Sequence, residues 1–193
     1  MHEPAADILG SIPRALADFY RLAAQCPAIL GSHNRIRPIS DLRPDSSAER
    51  FVFGVECQGG WTWSIPWEAG ATDTDPTVWF DDGRLVPEQE PLSGFLLQFA
   101  LEEAAIGALY QASCHDLPRR LLPALESRLQ RVPLRPFLLP AGAPTDFLVA
   151  PGLVACIGPG WEDGKVDVWV DAQHRSALHP LTRLGILWRH FDG

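Results

Sequence analysis

Basic residues are scarce in this chain. Sixteen Lys and Arg stand against 24 Asp and Glu, a formal net charge of −8 over 193 residues. Gripping nucleic acid through its phosphates needs a basic footprint, so charge argues that class of partner away. An acidic surface suits a basic protein, whose approach it accelerates, or serves solubility alone. The four cysteines, Cys26, Cys57, Cys114 and Cys156, lie far apart and form no C-x-x-C pair, which argues against a zinc cluster. The six histidines make no H-E-x-x-H pattern, and His174 and His179 are five apart, poor spacing for one helical face. No G-x-S-x-G, Walker-type or dinucleotide glycine motif occurs. Gly158, Gly160 and Gly164 interrupt a hairpin and do not open a helix, so they make no phosphate cradle. No apolar run approaches a membrane span, and MHEPAADILG lacks a charged and then apolar signal pattern. A reducing cytoplasm is the expected home, with no metal, no cofactor and no membrane partner.

What the chain does have is aromatic alternation. Four of its seven tryptophans, Trp61, Trp63, Trp67 and Trp79, fall between Phe51 and Phe80. Phe51, Phe53, Val55 and Cys57 alternate on one strand, and Trp61, Trp63, Ile65 and Trp67 on the next. Two registers compete. A two-residue turn at Gly59-Gly60 pairs Gln58 with Trp61 and Glu56 with Trp63. A three-residue loop, Gln58 to Gly60, pairs Cys57 with Trp61 and Val55 with Trp63. The second gathers the apolar set on one face and is favoured, since a slip of one residue moves that set to the wrong side. Cys57 and Cys156 then read as buried thiols.

Elsewhere, Ser11 can cap a helix that starts near Pro13, carries the stripe Ile12, Leu16, Phe19, Tyr20 and Ala23, and stops at Pro27. Residues 31–45 are irregular, and SHNRIRP reads as an exposed loop with a short strand. Ser93 heads a strongly apolar helix from Gly94 to about Ala112, and a second helix covers Arg119 to Arg131. The proline-spaced stretch from Pro133 to Pro144 reads as an ordered connection, because Phe137, Leu138 and Leu139 want burial. Strands are expected at Thr145–Val149, Leu153–Ile157 and Lys165–Asp171, with GPGWEDG joining the last two, and the tail ends in a short helix and an extended piece near Trp188. The predicted fold is α+β: a single domain over 1–193 with a twisted, mainly antiparallel sheet flanked by helices.

Chemistry is thin. Cys114-His115-Asp116 resembles a nucleophile and base, but sequence neighbours rarely face one another, and the triplet is expected at a helix end. Asp73, Asp75, Asp81 and Asp82 flank a short strand, without the glycine and bidentate glutamate of a calcium loop. They read as an acidic rim for a partner, with Asp82-Gly83 as a turn. Trp61 and Trp63 read as core; Trp67 and Trp79, near loop ends, read as partner contacts.

The order of segments is specific. IPRALADFYRLA, HNRIRPISDL, FVFGVECQGGWTWSIP, DTDPTVWF and LSGFLLQFALEEAA in succession resemble the SUKH superfamily, named partly for a yeast cell-wall assembly regulator and with many bacterial members. Glu56, Gln58, Gly59, Trp63, Asp75, Pro76, Val78, Leu92, Ser93, Phe95 and Leu96 match the family's E-N-Q-G-x-x-x-W, D-P-x-V and L-S-x-F-L runs. Cys57 stands in place of the Asn, and PEQEP lacks the Trp that often precedes L-S. The resemblance implies an immunity protein, one that binds and neutralises a cognate toxin, often a nuclease, and has no catalytic residues. The alternative is a regulatory or scaffold protein of the same fold. The expected partner is a basic toxin domain. The expected contacts are Glu56, Trp67, Glu68, Asp73, Asp75, Trp79, Asp81 and Asp82.

Overall fold

The computed structural model describes residues 9–68, 70–138 and 143–193. Its class is α+β, and the described strands pair antiparallel. They form a five-stranded and a seven-stranded sheet, and the chain divides into compact units 1–103 and 104–193.

In the first unit, helix α1 (Arg14–Ala23) buries Leu16, Ala17, Phe19, Tyr20 and Ala23, the stripe its spacing predicts. The N-cap residue is Pro13, not Ser11, and no side chain closes that end. Strands β1 (Asn34–Ile36), β2 (Arg50–Glu56), β3 (Thr62–Pro66), β4 (Thr77–Asp81) and β5 (Leu85–Pro91) follow one another across the sheet. Helix α2 (Leu92–Ile106) comes next. It is shorter than expected. Ala108 N donates to Ala105 O after Gly107, and the chain is extended again from Tyr110. Leu109, assigned to the apolar helix by pattern, is exposed.

The β2–β3 hairpin takes neither expected register. Val55 faces Thr62 and Gly54 faces Trp63, so the loop runs from Cys57 to Gly60. A bulge between Val52 and Gly54 then shifts the pairing, and Phe51 lies opposite Ile65. The bulge keeps Phe51 and Phe53 buried although the register changes between them. Gly54 lets the indole lie close at that point: a Cβ there would be 3.1 Å from Trp63 Cε3, a tight contact. Cys57 is exposed in the loop, and Cys156 is half-buried; neither is the buried thiol expected.

The second unit holds β6 (Tyr110–Pro118), a short α3 (Leu122–Glu126), β7 (Gln130–Arg131), β8 (Phe137–Leu138), β9 (Pro144–Ala150), β10 (Leu153–Pro159), β11 (Lys165–Ala172) and β12 (His190–Phe191). The expected helix over 119–131 is a 3-10 turn followed by those five residues of α3, which begin on a Leu-Pro pair. Leu139, expected to be buried, lies outside the described residues. The tail forms a 3-10 segment, Arg175–Arg183, and its extended piece falls at 190–191, just past Trp188. Val166, Val168 and Val170 of β11 join the core with Ala112, Cys114, Leu125 and Leu178. Among the described residues no helix is long and apolar enough to cross a membrane.

Asp171 on β11 is a buried acid beside Gln111, whose Nε2 donates to its Oδ1 at 3.1 Å. Burial pushes its carboxyl from 3.8 up to about 6, and the Gln111 bond opposes that rise. A folded-state acid raised this way costs nothing below pH 3.8, where both states are protonated. Its penalty grows as pH rises through about 6 and is constant above. Asp171→Asn is expected to raise stability at pH 7.5 by about 2 kcal/mol, discounted for partial solvent access, and to leave it unchanged at pH 3.5. Urea midpoints at the two pH values measure this difference.

Candidate functional site

The aromatic hairpin builds a pocket at one end of the first sheet. Trp63 fills the interior, wholly buried, with ring centroids 5.8 Å from Phe80, 5.7 Å from Phe95 and 6.3 Å from Phe99. Its Nε1 donates to Glu88 Oε1 at 3.1 Å. Trp61 is half-buried, edge-on to Trp63, and its Nε1 donates to Asn34 Oδ1. The other two tryptophans are half-buried nearer the surface. Trp67, just past β3, stacks on Phe51 at 4.9 Å and 17°, and its amide is tied to Glu49 O. Trp79 on β4 carries the Arg50 guanidinium over its ring at 5.4 Å, while Arg50 Nε donates to Ser64 Oγ.

Trp67 and Trp79 line one open pocket of about 410 Å³ together with Glu68 and three prolines, Pro13, Pro66 and Pro76. Thr74 and Thr77 supply hydroxyls. Two indoles and three rigid rings give an apolar cleft that is largely preformed, since each ring carries few rotatable bonds and Trp67 is already stacked. The hydrogen bond from Arg14 N to Thr72 O fixes the start of α1 against the loop that borders it.

The expected contact residues therefore separate. Trp67, Glu68 and Trp79 come together. Asp73, two residues before Asp75, lines a neighbouring hollow with Arg14, Asp18 and Arg21. Asp75 is spent on helix α2: its Oδ1 accepts Ser93 N at 2.8 Å and its Oδ2 accepts Ser93 Oγ at 2.6 Å. Asp81 and Asp82 accept the amides of Gly83 and Arg84 and make the turn to β5. Glu56 is only 5% exposed and organises the hairpin loop, accepting from Gln58 N, Gly60 N and Cys57 Sγ. The thiol and amide bonds hold its carboxyl below the ordinary range against the opposing effect of burial. Asp81 pairs with Thr62, so it and Glu56 sit at the end of β3 away from Trp67.

The Cys114-His115-Asp116 triplet lies on β6 and not at a helix end. Successive strand residues face opposite ways. Cys114 enters the core, and burial pushes its thiol up, with Asp167 adding to the rise. A raised thiol is a poor nucleophile. His115 Nδ1 instead lies 2.9 Å from Asp167 Oδ2, and Asp167 Oδ1 accepts the Asp116 amide. Asp116, at φ +52°, turns its carboxylate to the amides of Trp161 and Glu162. Asp116 thus anchors the GPGWEDG loop, whose Trp161 is 92% exposed.

Sequence reasoning missed Glu103, whose carboxylate accepts the backbone amides of Ser32, His33 and Asn34 and so anchors the start of β1. It sits four residues after Phe99 on the buried stripe of α2, and that placement was the available signal. Among the described residues no group of three or more His, Cys, Asp and Glu is placed to hold a metal. Comparisons with family models, with characterised proteins and with solved structures found no match.

Proposed function

We propose that this protein is a protein-binding module that acts in the cytoplasm without catalysis, and that it neutralises a toxin by occupying it, as the resemblance to the SUKH superfamily implies. The observation that carries this reading is the pocket that joins Trp67, Trp79 and three prolines. Tryptophan is among the residues enriched at binding hot spots. Glu68 lines the cleft, and Asp73 stands exposed on the loop that follows it. With a net charge of −8, that rim favours a basic partner that inserts an apolar side chain between the indoles.

Affinity capture from native lysate tests it, comparing wild type with a Trp67→Ala/Trp79→Ala double variant. The expected outcome is one tight, basic partner, toxic when expressed alone and harmless when co-expressed with wild type. The double variant should capture about a hundredfold less and fail to protect. Several weak partners, held equally by both proteins, would favour the regulatory or scaffold reading.

A further inference from the structure

The arginines of the SHNRIRP stretch have no part in the aromatic pocket. Strand β1 is an edge strand with the burial order buried, exposed, buried. Alternation turns Asn34 and Ile36 inward and Arg35 outward, beside Val55 on β2. Arg37 follows on the same side. Its amide donates to Phe53 O, and its carbonyl accepts the Tyr20 hydroxyl at 2.6 Å, which fixes the backbone there. Arg43 arrives from beyond the 3-10 turn Ile39–Asp41. All three arginines line a single pocket of about 530 Å³. Leu30, Ile36 and Val55 give it apolar surface, and Asp41 is the one carboxylate in its lining.

Ion pairs are few among the arginines of this acidic chain, so what sets Arg35, Arg37 and Arg43 apart is that they share one pocket. Arg131 takes two, Glu126 and Asp146, while Arg14 and Arg21 share Asp18. Among the described residues no carboxylate lies within ion-pair distance of Arg35, Arg37 or Arg43. Three positive charges set around one cavity against the single carboxylate of Asp41 leave a positive excess, and an anion placed among them relieves their repulsion. Guanidinium is also the donor best matched to planar or tetrahedral oxyanions, through paired N–H bonds.

We propose that this pocket binds a small molecule carrying a carboxylate or phosphate group on an apolar body. The arginines take the oxyanion, and Leu30, Ile36 and Val55 take the body. A long polyanion such as nucleic acid is disfavoured by the charge of the remaining surface. The inference stands on residues other than Trp67 and Trp79, so either reading can fail alone.

The test is an NMR titration of the full chain with phenyl phosphate, benzoate, inorganic phosphate and benzyl alcohol. Backbone amides of 35–37 and the methyl groups of Ile36 and Val55 report occupancy. Saturable shifts are expected with phenyl phosphate or benzoate, and the preferred one identifies the head group. Inorganic phosphate should bind about tenfold more weakly for want of the apolar contact, and benzyl alcohol should not bind. Arg37→Gln/Arg43→Gln should weaken binding at least about tenfold without altering the melting temperature, while Trp67→Ala/Trp79→Ala should leave it unchanged. No saturable shift up to about 10 mM of either aromatic anion would overturn the proposal, as would equal binding by the arginine variant or inorganic phosphate binding as tightly as phenyl phosphate.

Discussion

Trp63→Ala is expected to destabilise the first unit by about 4 kcal/mol, the largest effect of any single truncation in the aromatic hairpin. The indole is wholly buried among Phe80, Phe95 and Phe99, so truncation removes apolar contact and leaves a cavity that three rigid rings close poorly. It also withdraws the Nε1 donor from the buried Glu88 carboxylate. Trp67→Ala is the contrast. That ring is half-buried at a pocket wall, and its loss is expected to cost about 1 kcal/mol. Urea unfolding of the two variants separates a core tryptophan from a half-buried one. A loss below about 1 kcal/mol for Trp63→Ala would show that the ring does not fill the interior as described.

Glu103→Ala is expected to cost about 3 kcal/mol, and Glu103→Gln about 2 kcal/mol. The Glu103 carboxylate accepts three successive backbone amides, from Ser32 and His33 at Oε2 and from Asn34 at Oε1, at 2.7 to 3.0 Å. A glutamine has the same shape, but its amide nitrogen would present N–H groups to at least one backbone N–H, and no acceptor would remain there. The loop turns tightly before these amides at Gly31, where at φ +82° a Cβ would lie 2.1 Å from Asn34 O. Loss of this anchor frees the start of β1, so amides 32–34 should exchange hydrogen faster in both variants. Retention of full protection in Glu103→Gln would contradict the three-amide account.

What could be read from the chain follows the periodic segments. The spacing of Leu16, Phe19, Tyr20 and Ala23 located α1, and the Val166-Val168-Val170 alternation located β11 and its buried face. The hairpin register could not be read, because a bulge beside Gly54 lets both strands keep their apolar residues inside with a one-residue offset. The end of α2 was lost because Leu109 and Tyr110 continue the apolar pattern past Gly107, whose breaking effect was outweighed. Four of the acids hold the chain's own groups, which the sequence pattern did not reveal. Asp81, Asp82 and Glu56 accept backbone amides of their own turns, and Asp75 accepts the amide and hydroxyl of Ser93, 18 residues further on. Trp67 and Trp79 were legible as surface aromatics. Pro13, brought in from the head of α1, was not, because nothing local in sequence ties it to them.

The binding reading is tested most directly by titrating the captured partner against wild type and Trp67→Ala/Trp79→Ala, by calorimetry at low and moderate salt. A preformed aromatic cleft predicts an affinity loss of about a hundredfold in the variant at both salt concentrations, with its melting temperature lowered only slightly. Equal affinity for the two proteins would place the contact elsewhere and remove the cleft from the account.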